Sequence, residues 1–354
     1  ATTRPPSRRR SAGMSSLGYQ RIYRALADTP GLGCERAFLP EDDAPNQAGQ
    51  STLRTYESLR AVADFPVIAL SVAYELELAG LVRVLELAGV PVLREDRDDR
   101  FPFVLAGGPL TFSNPTPLGP FVDAVIMGEG ESLVVEVLRV LADTPKKSDR
   151  LAILSRMPHV WVPEQHGAQL PALAQVDDSL LPAWGPIRTP EAELSNMFLI
   201  ETSRGCSRGC TYCVMRRSTN GGMRIVPEAE ILERIPSDAR RVGLVGAAVS
   251  DHPRIVSIVS TLTDQGREVG LSSLRPDKLK PEFVSALRRG GYRTLTTAMD
   301  GPSERVRKLL DRRAEERHLV AAAENARAAG MDRLKLYLMI GLPTEADGDI
   351  DECV

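Results

Sequence analysis

The chain is poor in cysteine and histidine, and it has no long apolar run. Only 5 of its 354 residues are cysteine and 4 are histidine. So few cysteines, in an odd number, argue against a disulfide framework and favour a reducing compartment. No apolar run approaches the roughly 20 residues that a membrane-spanning helix needs, and no apolar core typical of a secretory signal follows the first residues. We therefore expect a cytoplasmic protein without a membrane partner.

An excess of positive charge is also missing. Lys and Arg together number 44 and Asp and Glu 47, which gives a net charge of −3. The composition therefore gives no general indication of a nucleic-acid partner, because binding to phosphates requires a positive surface. The segment 1–12 is the exception, since it holds four arginines and two prolines. We interpret it as a disordered basic arm, with a nucleic-acid-binding arm as the alternative.

Three of the five cysteines share one short segment. With the spacing C-x3-C-x2-C, they are Cys206, Cys210 and Cys213. A [4Fe–4S] cluster normally takes four thiolates, so a tight triplet suggests a cluster with one iron left for another ligand. The apolar run 197–201 predicts a strand that leads directly into this loop. Arg204 and Arg208 are expected to favour thiolate over thiol.

Other interpretations of these cysteines remain open. A structural zinc site needs a fourth ligand, which would come from Cys34, Cys353 or a distant histidine. Cys210 and Cys213 form a C-x-x-C pair that could act as a redox dithiol, although Cys206 would then have no role. The cysteines could also be buried and inert.

The segment resembles the cysteine loop of the radical SAM superfamily, which reads C-x3-C-x-aromatic-C, and Tyr212 stands at the aromatic position. The resemblance implies that the three cysteines hold a [4Fe–4S] cluster and that S-adenosylmethionine (SAM) binds its fourth iron. It also implies cleavage of SAM by one electron to a 5′-deoxyadenosyl radical, with a reductant such as flavodoxin or ferredoxin. In such enzymes the cofactors carry the difficult step and the protein orients them.

The N-terminal region alternates helical and strand patterns. This alternation predicts an α/β fold with a Rossmann-like, doubly wound sheet over 13–141. Strands are predicted over 67–72, 103–106 and 124–127, and helices over 19–27, 77–87 and 132–141. The Pro-rich segment 142–196 is predicted to be an irregular bridging segment.

Residues 197–354 repeat the alternation. The predicted strands cover 197–201, 242–245, 269–272, 294–297 and 334–340, and the predicted helices cover 227–235, 281–289 and 314–329. Five strand–helix units in series predict a barrel, and ligands of such folds gather at the carboxyl ends of the strands. The resemblance of the cysteine segment implies that 197–354 form a radical SAM core. Radical SAM cores typically have six units, so we expect a partial (β/α)6 barrel that looks truncated after its fifth strand.

The resemblance implies SAM contacts beyond Tyr212. Gly246 stands where members often carry Gly-Gly-Glu, although this chain reads Gly-Ala-Ala. Ser272 and Arg275 suit the SAM carboxylate, Asp300 stands near the expected ribose position, and Gly341 begins a Gly-Leu-Pro-Thr-Glu segment expected near adenine. The alternatives are a solvated loop arginine at Arg275, a helix cap at Asp300 and an ordinary turn at Gly341.

The N-terminal region resembles the cobalamin-binding-type domain that precedes many radical SAM cores. The positions implied for cobalamin are Ser71, Gly107, Gly108, Gly128, Glu129 and Gly130. Glycines after strands let the backbone approach a large planar cofactor. No histidine lies in 13–141, so either cobalamin binds without a histidine ligand or the domain has the fold without the cofactor.

The sequence does not choose a catalytic residue or a substrate. Tyr74, Ser250 and Tyr337 are candidate proton or hydrogen donors, and we expect His252 to be a surface histidine. The leading interpretation is a radical SAM enzyme, with cobalamin-dependent methyl transfer as one form of its activity. A radical SAM enzyme that modifies RNA or protein without cobalamin is the first alternative. A non-catalytic iron–sulfur protein for electron transfer is the second.

Overall fold

The computed structural model describes residues 12–40, 53–215, 222–271 and 274–354. The chain divides into two compact units. Unit 1 comprises Ala1–Leu180 and Pro186–Asn196, and unit 2 comprises Leu181–Gly185 and Met197–Val354. Among the described residues, no helix is both long and apolar enough to cross a membrane.

Unit 1 contains a four-stranded sheet with helices on both faces. Its strands, in spatial order, are β1 (Val67–Ser71), β2 (Phe103–Gly107), β3 (Ala124–Ile126) and β4 (Val160–Trp161). Its helices are α1 (Leu17–Ala27), α2 (Leu78–Ala88), α3 (Leu133–Asp143), α4 (Lys147–Leu154) and the single turn α5 (Pro163–His166). The first three strands are parallel, and β4 runs antiparallel to β3.

The central strand β2 shows why the sheet is doubly wound. Val104 and Ala106 belong to one apolar core, which includes residues of α2, whereas Phe103 and Leu105 belong to a second core, which includes residues of α3. Because successive side chains of a strand point to opposite faces, both faces of this sheet are covered. The predicted Rossmann-like parallel sheet is confirmed.

The segment after α3 is more regular than predicted. Residues 142–196 were expected to be irregular, but α4, β4 and α5 all lie there. Trp161 is almost fully buried, pairs with Val125 of β3 and donates its indole N–H to the carbonyl of Gly167. A strand of two residues has no periodicity to read, so only the pairing with β3 defines it.

Unit 2 contains five parallel strands in chain order. They are β5 (Met197–Glu201), β8 (Arg241–Val245), β9 (Glu268–Leu271), β10 (Thr294–Asp300) and β11 (Arg333–Leu338), and β6 (Ser203–Gly205) pairs antiparallel with β7 (Met223–Ile225). Strands β5, β8 and β9 form one sheet and β10 and β11 another, and a parallel bridge joins Leu274 to Thr297 between them.

The described helices of unit 2 are α6 (Glu228–Arg234), α7 (Ile255–Asp264), α8 (Pro281–Arg289), α9 (Glu304–Leu309), α10 (Glu316–Ala328) and α11 (Asp347–Cys353). Helices α6, α7, α8 and α10 pack against one face of the strands. The helix-facing side chains form the core, and they include Phe198, Ile200, Val242, Leu244 and Leu295. The fifth strand was predicted to extend to 340 and ends at Leu338, and α7, α9 and α11 were not predicted.

The alternate residues of the same strands lie on the opposite face, which we call the inner face. It comprises Met197 and Leu199 on β5, Gly243 on β8, Gly270 on β9, Thr296 and Ala298 on β10, and Lys335 and Tyr337 on β11. A Cβ at Gly243 would lie 2.8 Å from Sδ of Met197, and one at Gly270 would lie 3.1 Å from its Cε. The two glycines therefore make room for the Met197 side chain.

Candidate functional site

The three clustered cysteines lie on a loop at the carboxyl end of β5. After Glu201 the chain forms β6, which pairs with β7, and it then enters residues 206–215, which we call the cysteine loop. Cys210 is buried, Cys206 and Cys213 are half-buried, and all three are free thiols. This is the edge at which ligands of parallel α/β folds bind, as the sequence predicted.

Hydrogen bonds join the cysteine loop to the segment after α9. The amide of Thr211 donates to the carbonyl of Leu310 at 3.0 Å, and Sγ of Cys210 lies 3.9 Å from the carbonyl oxygen of Asp311. These partners are about 100 residues apart in sequence. The end of α9 therefore forms one wall of the loop.

Tyr212 and Asp300 form a second attachment of the loop. The Tyr212 hydroxyl donates to Asp300 Oδ2 at 2.6 Å, and Nε of Arg312 lies 2.7 Å from the same oxygen. Burial, followed by the contact with Asp300, raises the pKa of Tyr212 well above its usual range. The alternative of a helix cap at Asp300 is wrong, because Ser303 caps α9 by accepting from the amide of Val306.

A chain of four charged side chains joins the loop to the ends of β8 and β9. Arg275 places Nη1 3.0 and 2.8 Å from the two carboxylate oxygens of Asp251, and Nε and Nη2 lie 3.0 and 2.6 Å from those of Asp277. Arg208, between the first two cysteines, lies 3.5 Å from Asp251. The Arg275 residue is only 7% exposed, so the alternative of a solvated arginine is wrong.

The arginines do not act on the thiols as predicted. Arg204 binds both carboxylate oxygens of Glu201, at 2.7 and 2.9 Å, and Arg208 is paired with Asp251. Burial raises the pKa of Cys206 above its ordinary value, and the Asp251 carboxylate adds to the effect. The predicted bias toward thiolate is therefore wrong for Cys206 in the chain without a bound cluster.

Gly246 lies next to the start of the cysteine loop. A Cβ at this position would come within 2.9 Å of the Ser203 carbonyl oxygen and 3.0 Å of its Oγ. Ser203 is 1% exposed, and its Oγ has no hydrogen-bond partner within the described part of the chain. A buried hydroxyl without a partner costs free energy unless a ligand supplies one. This corner therefore suits a polar ligand group.

Two other positions implied for SAM are Gly341, which the structure describes, and Ser272, which it does not. Gly341 has a φ of +84°, and its amide donates to the Glu345 carboxylate at 2.9 Å. The Glu345 side chain therefore closes the turn that follows β11. Ser272 lies outside the described residues, so the structure gives no placement for it.

His252 is a buried structural residue, not the surface histidine that was expected. It is 2% exposed, its Nε2 lies 2.9 Å from the carbonyl oxygen of Val226, and its Nδ1 accepts from the amide of Arg254. Both ring nitrogens are thereby used. Among the candidate donors, Ser250 is buried and accepts from the amide of Arg275 through its Oγ, at 3.3 Å.

In unit 1, the positions implied for cobalamin fall into two groups. Ser71 is exposed at the end of β1, and Gly107 is half-buried at the end of β2. Gly108 has a φ of +106°, and a Cβ there would lie 2.7 Å from the carbonyl oxygen of Val72. These three positions lie together at the carboxyl ends of β1 and β2, where Ser71 pairs with Gly107 and Gly108 packs against the Val72 backbone. Tyr74, another candidate donor, is exposed beyond β1.

The second group contacts the chain's own backbone. Gly128 pairs with Ala174, and a Cβ at Gly128 would lie 2.6 Å from the nitrogen and from the oxygen of Ala174. Glu129 accepts from the amide of Val176 at 2.8 Å, and Gly130 lies against Ile126. The turn 128–130 is therefore covered at least in part by residues 174–176.

The cysteine loop has the donor set of a [4Fe–4S] cluster. Each thiolate of a cubane binds a different iron, so its sulfurs need not converge on one point. Within the described ranges, no group of three or more His, Cys, Asp or Glu side chains is placed to hold a single metal ion. This finding gives no support to the zinc alternative, whereas three free thiols on one loop fit the cluster.

Three residues of the site were missed by sequence reasoning. Asp251, Asp277 and Arg312 carry the ion pairs that hold the loop and its neighbours. Asp251 could have been found, because it follows closely after a predicted strand end, where functional side chains gather. Arg312 has no such signal, since it lies between two helices.

Comparison with known proteins identifies the family. Residues 18–163 match the family described as "Radical SAM proteins, N-terminal", and residues 200–354 match the "Radical SAM superfamily". An uncharacterised protein of Methanocaldococcus jannaschii, MJ0966, is 26% identical over 308 residues, which are 84% of this chain and 64% of that protein. The chain thus spans less than two thirds of this relative's length.

Two solved structures share the fold. The radical SAM methyltransferase TsrM from Kitasatospora setae superposes with a TM-score of 0.57 at 12% identity, over 81% of this chain and 59% of that one. The cobalamin-dependent radical SAM enzyme OxsB gives 0.56 at 13% identity, over 81% of this chain and 42% of that one. The two matched families, both of radical SAM proteins, together cover most of the chain, which is therefore a radical SAM protein.

Proposed function

We propose that this protein is an enzyme that holds a [4Fe–4S] cluster on Cys206, Cys210 and Cys213 and uses it to cleave SAM reductively. The observation that carries the proposal is the position of the cysteine loop. It lies at the carboxyl end of β5 and is attached to the ends of β8 and β10 through Asp251 and Asp300. A structural metal site would not require these attachments, whereas a site that orients two cofactors does.

When bound, the cluster supplies an electron to SAM and the iron that SAM chelates. The protein's own residues orient and enclose these groups. Tyr212 is oriented by Asp300, and the Arg208–Asp251–Arg275–Asp277 chain holds the opposite side of the loop. The hydroxyl of Ser203, beside Gly246, has no partner among the described residues and would offer a hydrogen bond to a polar group of SAM.

The contacts of Arg275 differ from those that the family resemblance implies. Its guanidinium is occupied by two carboxylates, so its role in SAM binding would be indirect, through Asp251. Ser272, Gly341 and Asp300 remain proposed SAM contacts. We further propose that residues 197–354 form part of a (β/α)6 barrel, that 13–141 form a cobalamin-binding-like domain and that 142–196 connect the two.

Cobalamin is proposed as a second cofactor of unit 1. The proposal rests on the exposed Ser71 and half-buried Gly107 at the carboxyl ends of β1 and β2, the edge at which ligands of doubly wound sheets bind, since Gly128 and Glu129 already contact residues 174–176. Both ring nitrogens of His166 bind within the chain, to the amide of Val162 and to the carbonyl oxygen of Ser155, so His166 is not placed to act as an axial ligand. Because no histidine lies in 13–141, cobalamin would bind to that region without a histidine ligand.

The test compares the three cysteines of the loop with the two cysteines outside it. One variant replaces Cys206, Cys210 and Cys213 with alanine, and a control variant replaces Cys34 and Cys353. After anaerobic reconstitution with iron and sulfide, we expect about four irons per chain in the wild type and the control and none in the triple variant. With dithionite and SAM, the first two should form 5′-deoxyadenosine. Equal iron content in all three proteins would refute the cluster assignment.

The same preparations separate the alternatives. A wild-type chain that binds four irons without forming 5′-deoxyadenosine would favour the electron-transfer protein. A corrinoid retained through anaerobic purification, with the absorption of a base-off cobalamin, would favour cobalamin-dependent methyl transfer. A chain that cleaves SAM and retains no added cobalamin would favour cobalamin-independent modification of RNA or protein.

A further inference from the structure

Lys335 and Tyr337 lie side by side on the inner face of unit 2. Leu334, which precedes Lys335, packs against the core on the helix side of the strands. Because successive side chains of a strand alternate between faces, Lys335 and Tyr337 point away from the helices. The register of β10 and β11 places Lys335 opposite Thr296 and Tyr337 opposite Ala298.

The two side chains contact each other directly. Nζ of Lys335 donates to the Tyr337 hydroxyl at 2.6 Å and lies 4.6 Å from the centroid of the tyrosine ring. A lysine ammonium has three N–H donors, and this contact uses one. Within the described ranges, no carboxylate lies within 4.0 Å of Nζ. The ammonium therefore keeps donors available for another acceptor.

The surroundings leave room for that acceptor. Tyr337 is 51% exposed, and Lys335 is also exposed. On the neighbouring strand, the side chains opposite the pair are the small Ala298 and the hydroxyl-bearing Thr296. The inner face thus presents an ammonium and a phenol with little side-chain bulk beside them on β10.

We propose that the Lys335–Tyr337 pair binds an oxyanion of the substrate, either a carboxylate or a phosphate. The ammonium supplies charge and two N–H donors, and the tyrosine supplies an O–H donor while it orients the lysine. The assignment of the anion to a substrate rests on the proposed function, because the pair lies on the inner face of β11 in the unit that also carries the cysteine loop after β5. The binding of an oxyanion itself does not depend on the cluster.

A lysine at a sheet edge can have a simpler role than anion binding. Within the described strands β11 lies at an edge of its sheet, and lysines at such edges discourage pairing with other chains. That role requires only an exposed charge and has no use for the hydroxyl of Tyr337. A Tyr337→Phe variant therefore separates the two roles, because it keeps the ring and removes only the hydroxyl.

The experiment measures how anions protect Lys335 from chemical modification. The wild-type chain is treated with citraconic anhydride at constant ionic strength, with increasing inorganic phosphate or acetate, and each lysine is followed by peptide mass spectrometry. Lys308 is the control, because it is exposed on α9 and paired with Glu304. At an anion concentration of twice the dissociation constant, the rate at Lys335 should fall about threefold, since binding protects by 1 + [L]/Kd.

The expected result is saturable protection of Lys335 and none of Lys308, with weaker protection of Lys335 in Tyr337→Phe. Protection by phosphate alone would indicate a phosphate group, and protection by acetate a carboxylate. Equal effects at Lys335 and Lys308, no effect of either anion, or unchanged protection in Tyr337→Phe would overturn the proposal. Formation of 5′-deoxyadenosine by the wild type tests the proposed function separately, so either idea can fail without the other.

Discussion

Removal of the Asp251 charge should destabilise unit 2, even in the chain prepared without iron. The Asp251 side chain is 6% exposed, and that of its partner Arg275 is 9% exposed. Breaking a buried ion pair by removing one partner costs about 3–5 kcal/mol, because the remaining charge is left desolvated. Arg275 would keep Asp277, so we take the lower end, about 3 kcal/mol. This change raises the unfolding equilibrium constant roughly 100-fold.

Asp251→Asn is the variant of choice because it keeps the shape of the side chain and removes only its charge. Asp264→Asn is the matched control, since Asp264 pairs with Arg289 at 3.5 Å with side chains 68% and 52% exposed. An exposed pair of this kind contributes no more than about 1 kcal/mol. The two variants thus compare the same substitution at a buried and at an exposed ion pair.

The assay is hydrogen exchange at increasing urea, read by mass spectrometry on peptides that cover β8. Exchange from these core amides reports the free energy of opening of the unit that contains them. A whole-chain melting curve would mix two units and is less suitable. The reasoning is refuted if Asp251→Asn lowers the opening free energy by no more than Asp264→Asn does.

Three further predictions concern a helix cap, a thiol and a turn. Ser303→Ala should lower the opening free energy of unit 2 by about 2 kcal/mol in the same hydrogen-exchange assay, because Ser303 caps α9 and also donates to a buried carboxylate. A loss under about 0.5 kcal/mol would contradict this role. Burial raises the pKa of Cys34 to about 11. At pH 9 only about 1% of Cys34 is then thiolate. In a chain that lacks the cluster cysteines, iodoacetamide should therefore alkylate Cys34 at least about tenfold more slowly than the exposed Cys353. Equal alkylation rates by mass spectrometry would refute the expectation. Gly128→Ala should lower the opening free energy of unit 1 by more than about 3 kcal/mol, against about 1 kcal/mol for Gly89→Ala, when hydrogen exchange at increasing urea is followed on peptides of β2. Both glycines have a positive φ, but only a Cβ at Gly128 meets backbone atoms, so similar losses would show that the close approach to Ala174 is unimportant.

Local sequence patterns predicted the strands well where several consecutive residues are apolar. The runs at 103–106 and 197–200 are apolar throughout and lie in β2 and β5. The two-residue strand β4 and the antiparallel pair of β6 and β7 have no comparable run of apolar residues. Their existence depends on pairing with partners distant in the chain, which single-sequence periodicity does not report.

In the site, too, local spacing could be predicted from the sequence and the partners of charged side chains could not. Tyr212 and the cysteines could be identified because their spacing is contained in eight residues. The electrostatic effect of Arg204 and Arg208 was predicted wrongly, because their carboxylate partners were not considered. Arg208 finds its partner 43 residues away, at the end of another strand.

By itself, the sequence determined the thiolate donor set and the alternation of strands and helices, since both depend on neighbours along the chain. Tertiary structure alone decided which charges near the thiols are paired, that His252 is buried, and that Lys335 and Tyr337 share the inner face without a carboxylate beside the lysine in the described residues. These properties depend on strand register and on the packing of distant segments. A charge has no fixed chemical role until its partner and its exposure to water are known.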